Sequence, residues 1–133
     1  MAWYSDYNQR KERLLRDGLL VLVRGAHVDA DTGFAAVYLE ANEGDLLRSN
    51  TERGFDLHIT LGYAADYGRG VAEECAAIIN KRWRGRLVRL RVGWVGSGGS
   101  AQLAEDDELA SDDYIVWLHS RGWYSDRPLH VSL

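Results

Sequence analysis

Only one cysteine, Cys75, is present among the 133 residues, so no internal disulfide can form and no cysteine-rich zinc site can be built. Such usage suits a reducing compartment, and a cytoplasmic location is expected. A basic excess is also missing. The chain has 16 Lys and Arg against 20 Asp and Glu, a formal net charge of -4. A protein that grips duplex DNA has to neutralise many phosphates, so this balance argues against that partner and leaves open a small phosphate-bearing substrate or an RNA end. Apolar runs such as LLVLV at Leu19 to Val23 fall far short of the roughly 20 residues that cross a bilayer, so no membrane partner is expected. The charged, amphipathic amino terminus, MAWYSDYNQRKERLLRDG, lacks the apolar centre and small-residue cleavage site of a secretory signal.

What the chain does have is 46% hydrophobic residues, enough to bury one core and too little length for two, so residues 1–133 are expected to form a single domain. Good helix formers from Ser5 to Arg16 predict a first helix stopped at Asp17-Gly18. Leu19 to Val28 and Phe34 to Glu40 predict two strands joined by the turn DADTG. NEGDLLRSNTERG predicts a short helix or helical turn closed by Gly54. FDLHITLGY alternates, with Phe55, Leu57, Ile59 and Leu61 on one face. Val71, Cys75, Ile78, Ile79 and Trp83 at helical spacing predict a helix from Asp66 to about Trp83. Val88, Leu90, Val92 and Trp94 predict one strand with a buried face, ended by GSGG at Gly96 to Gly99. The acidic stretch Ala104 to Asp113 reads as a solvated loop or frayed turn, and Tyr114 to His119 and Leu129 to Leu133 as the last two strands.

Two of these segments share a pattern. Leu57-His58-Ile59-Thr60-Leu61 and Leu129-His130-Val131-Ser132-Leu133 each read apolar, His, apolar, hydroxyl, apolar. Alternation in a strand sends the apolar side chains into the core and the His and hydroxyl together to the other side. Neither His27 nor His119 fits, and with 11 Ser or Thr in the chain two matches arise in roughly one of a few thousand shuffles. Two imidazoles on facing strands can act as general base and general acid on opposite sides of one phosphorus, because imidazole titrates near neutrality. Thr60 and Ser132 would hold the non-bridging oxygens. Such chemistry needs no nucleophilic side chain, metal or cofactor.

FDLHITLGY and RPLHVSL resemble the two H-x-[ST] motifs of the two-histidine (2H) phosphoesterase superfamily, the LigT-like and cyclic phosphodiesterase group. The resemblance implies an α+β, bilobal fold with pseudo-symmetric antiparallel sheets around a central cleft and helices outside. It implies a metal-independent hydrolase acting on 2',3'-cyclic nucleotides, RNA ends, ADP-ribose cyclic phosphate or 2',5' linkages, with His58 and His130 catalytic and Thr60 and Ser132 holding phosphate. A spacing of 72 residues between the histidines (130 - 58) is similar to that between the family's motifs. Family members continue past the second motif. Here only Leu133 follows Ser132, so the second lobe is expected to be minimal or completed from the amino-terminal part. The alternative is a nonenzymatic module of the same fold that binds nucleotides or RNA ends. A weaker alternative is a metal site using His58, His130 and Asp56, which matches zinc patterns poorly.

The other features have plainer readings. Cys75 falls on an apolar helix face and reads as a packed thiol. KRWRGRLVRLR at Lys81 to Arg91 can steer a nucleotide, but reads first as a solvated strand edge protected by charge. Trp94, Trp117, Trp123, Tyr63 and Tyr124 read first as packing, with Tyr63, three residues beyond Thr60, the best candidate to touch substrate. GSGG lacks the lysine and the strand-to-helix context of a P-loop and reads as a hairpin turn.

Overall fold

Alternation along Leu19 to Val28 and Phe34 to Ala41 gives strands β1 (Leu19–Val28) and β2 (Phe34–Ala41), paired antiparallel as the sequence predicts. The turn between them is closed by Asp29, whose carboxylate accepts hydrogen bonds from the Asp31 and Thr32 backbone and the Thr32 hydroxyl, the local bonding that makes Asp a turn former. The protein is described by a computed structural model covering residues 2–47, 54, 56–96 and 98–133. Of the helical turn expected across residues 42–54, a 3-10 turn at Glu43–Asp45 is observed. Residues 48–53 of that segment, with Phe55 and Ser97, lie outside the described residues.

Helix α1 (Ala2–Asp17) ends where the sequence predicts. Strand β3 (His58–Tyr63) carries the first motif. The single helix expected from Asp66 to Trp83 is two, α2 (Ala64–Tyr67) and α3 (Arg69–Trp83). Gly68 separates them with φ of 87°, a left-handed conformation that interrupts an α-helix and that glycine adopts without steric penalty. The buried stripe of α3 is Ala72, Cys75, Ala76, Ile79 and Trp83, while Val71 faces out. Two alanines, not Val71, occupy the stripe because small side chains let the helix approach the sheet closely. Asn80 fixes that approach. Its amide accepts from the Ala26 N–H at 2.6 Å and donates to the Ala26 carbonyl at 2.9 Å, satisfying the β1 edge beyond the residues that pair with β4.

The expected strand over Val88 to Trp94 is also two, β4 (Leu87–Leu90) and β5 (Val92–Val95), separated by Arg91. Of GSGG, Gly96 and Gly99 do close a hairpin, the Gly99 N–H donating to the Gly96 carbonyl, and it leads into a strand absent from the sequence reading, β6 (Ser100–Leu103). Tyr114 to His119 is a correction, because this segment is the helix α4 (Asp113–Arg121). Its aromatic and β-branched residues favour strands by composition. The Asp112 carboxylate nevertheless accepts from the Tyr114 and Ile115 N–H groups as an N-cap, and Ile115 and Leu118 bury one helical face. The acidic stretch before it is a run of turns, one of the two expected forms, but it is not a solvated loop. Asp107 is 1% exposed, and Leu109 and Ala110 are buried beside it. The Asp107 carboxylate accepts from the Arg91 and Ala110 N–H groups, which satisfies the buried charge. Strand β7 (His130–Ser132) carries the second motif.

All pairings are antiparallel, and the strand order is β4-β1-β2-β3-β7-β6-β5. β4 and β5 are one residue apart in the chain yet occupy opposite ends of that order, so the sheet curls into a nearly closed barrel. The fold is α+β, with four α-helices among the described residues. One face of the sheet, with Val21, Val23, Val37, Leu57, Ile59, Leu61, Val131 and Leu133, shares a single core with Leu14 of α1, the α3 stripe, and Ile115 and Leu118 of α4. Full burial of each such large side chain is worth about 1.5–3 kcal/mol, which fixes which way β3 and β7 face. Among the described residues no helix is long and apolar enough to cross a membrane.

Candidate active site

The two motif strands are neighbours at the middle of the sheet, with Ile59 paired to Val131. Antiparallel register then sets His58 opposite Ser132 and Thr60 opposite His130. Ile59 and Val131 are buried in the core, so these four half-buried side chains share the other face. His58 and His130 are diagonal partners, which places them roughly 7–8 Å apart by strand geometry.

Both histidines are held the same way. His58 Nδ1 lies 2.6 Å from the Asp56 carbonyl oxygen and His130 Nδ1 lies 3.1 Å from the Pro128 carbonyl oxygen, each two residues back. A carbonyl only accepts, so Nδ1 carries the hydrogen in each ring and Nε2 is the basic nitrogen of the neutral form.

The adjacent strands complete the face. On β2, Tyr38 is the cross-strand partner of His58, with their ring centroids 5.7 Å apart, and Phe34 meets the His58 ring edge-on at 5.5 Å. Burial raises the Tyr38 phenol above its ordinary pKa, and the Asp56 and Asp29 charges add to this. On β6, Gln102 is paired with His130 and Ser100 with Ser132. On β5, Trp94 is paired with Gln102. Two β-bulges shape the flanks. One, where β3 passes from Thr60 to Gly62 against Ala36 and Ala35, sets Tyr63 opposite Phe34, with ring centroids 5.5 Å apart. The sequence candidate Tyr63 thus reaches the His58 ring through Phe34. The second bulge, between Val92 and Trp94, overturns the expected buried position of Trp94. Val92 and Val95 are buried and Trp94 is 53% exposed.

Compared with protein-family models, curated proteins and solved structures, the chain matches none. The remaining candidates are placed by geometry alone. His27 is paired with Ala36 and lies exposed at the far edge of the same face. His119 of α4 stands near the site from another element. Burial lowers its pKa below the ordinary value and the His130 charge adds to this, opposed by hydrogen bonding to the Arg127 and Tyr124 backbone. Cys75 is buried, and burial raises its thiol. It lines a groove of about 510 Å³ between α3 and α4, with Val71, Ile78, Tyr114 and Trp117, side chains separate from the histidine face. Trp117 and Tyr124 are half-buried, and Trp123 is 71% exposed with its ring against Tyr124. Among the described residues no three His, Cys, Asp or Glu side chains form a metal-holding group.

The basic segment lies at the β4 edge, three strands from β3 in sheet order. Arg82, Arg86 and Arg91 pair with Asp112, Glu108 and Asp106 of the acidic stretch. Its charges are thus partly answered by that stretch rather than aimed at the histidines. Phe34, Tyr38, Ser100 and Gln102 were not singled out from sequence. Alternation along β2 places Phe34 and Tyr38 on the side opposite Val37, a usable signal. No comparable signal marks Ser100 and Gln102, because their strand is short and follows a glycine-rich turn.

Proposed function

We propose that this chain is a metal-independent phosphodiesterase of the two-histidine class that hydrolyses a cyclic phosphate or a 2',5' linkage. One observation carries the reading. The two matching triplets lie side by side, with four polar side chains on one face and both imidazoles oriented by a carbonyl two residues back. The order β4-β1-β2-β3 followed by β7-β6-β5 also supports a bilobal arrangement, with one motif strand from each half meeting at the centre.

In the proposed reaction, Nε2 of one neutral histidine removes a proton from water as the water oxygen bonds to phosphorus. The bond from phosphorus to the ring oxygen opposite breaks. The other histidine, protonated, gives its Nε2 proton to that leaving oxygen, and the product is a phosphomonoester beside a free hydroxyl. Thr60 and Ser132 donate to the non-bridging oxygens, where charge builds in the transition state. The two rings end with exchanged protonation states and reset through solvent.

Hydrolysis of a panel of 2',3'-cyclic nucleotides in EDTA, by the wild type and by His58→Ala and His130→Ala, tests the reading. Turnover by the wild type with loss in both variants supports it. A folded wild type that binds nucleotides saturably and turns over none of them identifies a binding module instead.

A further inference from the structure

Trp94 occupies an unusual place for the largest apolar side chain of a strand. Without a bulge, Val92 and Trp94 would share the core face, as simple alternation requires. The bulge inserts Gly93, so Val95 takes the inner place opposite Ala101 and Trp94 turns out opposite Gln102. Bulges recur beside active sites because they re-aim one side chain. The indole is also seated. A Cβ at Gly96 would lie 2.7 and 2.9 Å from two Trp94 ring carbons, so only glycine at that position lets the ring rest there. Gly96 donates its N–H to the Ser100 carbonyl at 2.8 Å, which places the ring beside the row that runs from Ser100 to Ser132 and His58.

We propose that Trp94 is the stacking platform for a nucleobase, with Gln102 between it and the histidine pair as a hydrogen-bonding contact, so that the substrate is a cyclic phosphate attached to a nucleoside. This rests on the function proposed above. β5 lies two strand spacings from β7, roughly 10 Å, a span suited to the ribose that separates a phosphate from its base. The side chains on this face between β7 and Trp94 are Ser100 and Gln102, both uncharged. Recognition on this flank therefore works through stacking and hydrogen bonds, not through additional phosphates. The Gln102 amide both donates and accepts, which suits a ribose hydroxyl or a base edge. An indole face stacks on any base, so the platform selects for the presence of a base more than for its identity.

The test compares kcat/KM for adenosine 2',3'-cyclic phosphate with that for methyl riboside 2',3'-cyclic phosphate, which has no base. Trp94→Ala is expected to lower the ratio of the two about 10- to 100-fold. Trp94→Phe should recover most of it, and Trp123→Ala, an exposed indole outside the row, should leave the ratio as in the wild type. An unchanged ratio in Trp94→Ala overturns the platform while leaving the two-histidine reading intact. If the wild type turns over neither compound, the proposed hydrolysis of 2',3'-cyclic phosphates fails by itself. Equilibrium dialysis of adenosine 3'-monophosphate then decides the platform. Binding weakened about 10-fold or more by Trp94→Ala supports it, and binding that is absent or indifferent to that substitution overturns it.

Discussion

His58 is set among rings, with Phe34 and Tyr38 against its imidazole, whereas His130 is set among hydroxyls and amides, with Gln102 and Thr60 as cross-strand neighbours. The five-residue pattern around each histidine is the same, and so is the carbonyl that holds Nδ1. What a motif can encode locally is thus identical at the two positions: the direction of the side chain and the location of its ring proton. What distinguishes them comes from the partner strands, β2 on one side and β6 on the other. The first histidine is also anchored by longer pairing. β3 shares five Cα partners with β2, while β7 shares three with β6 and one with β3. The approach to β7 is instead steadied by Asp66, whose carboxylate accepts from both the Tyr63 and Trp123 N–H groups.

The largest expected effect tests what the two histidines share. His58→Ala and His130→Ala should each lower kcat by about 10²–10⁴-fold. The double variant should be little worse than either single one, because paired acid and base act as a unit. Steady-state kinetics with melting curves as a control checks this, and a large residual rate in one variant would break the equivalence.

The second effect concerns support of the His58 side, because α4 packs on β3. Asp112→Ala removes the α4 N-cap and the acceptor for the Trp83 indole N–H at 2.9 Å, with an expected loss of roughly 2–4 kcal/mol in denaturant unfolding. Burial raises the Asp112 pKa, but bonds from Trp83, Arg82, Ile115 and Tyr114 outweigh it and leave the group below the ordinary carboxylate value. Its contribution is therefore complete above the ordinary carboxylate pKa and is lost as pH falls through the lower folded value. Asp112→Asn should flatten that acid limb.

A smaller effect sharpens the aromatic side. Tyr38→Ala removes one ring from His58 and should reduce kcat/KM about 2- to 10-fold, as expected for an aromatic contact worth about 0.5–1.5 kcal/mol. The smallest expected effect lies with His119. A histidine with a lowered folded pKa favours the fold when neutral, so stability should be full above the ordinary histidine pKa and decline as pH drops from there towards the folded value. His119→Gln should remove that decline in a pH series of melts, with no counterpart on the His58 side.

Much of this comparison was legible in the sequence, because burial alternation at Leu57, Ile59, Leu61, Val131 and Leu133 dictates the outward direction of both histidines and both hydroxyls. The hairpin of β1 and β2 was legible for the same reason. The adjacency of β3 and β7 was not, since pairing across 72 residues leaves no local trace. Tyr114 to His119 misled because residues such as Ile115, Val116 and Trp117 suit a strand by composition, while an Asp112 cap and core contacts at Ile115 and Leu118 impose a helix. Trp94 misled because one bulged residue reverses every side chain beyond it, and a bulge leaves no pattern except a glycine. The buried Asp107 and Asp112 were hidden in a run of acids whose charge looked like a reason for exposure.

The place of β7 between β3 and β6 has a consequence for how this protein assembles. The strand that brings the second histidine is also the strand that joins the two parts of the sheet, so the site cannot exist in a partly folded chain that has only hairpins. Its closure brings together segments far apart in sequence, an event with a high loop-closure entropy that comes late when local hairpins come early. Gain of the proposed activity and completion of the fold would then be one kinetic event, and refolding followed by turnover should trace the same slow phase as refolding followed by tryptophan fluorescence.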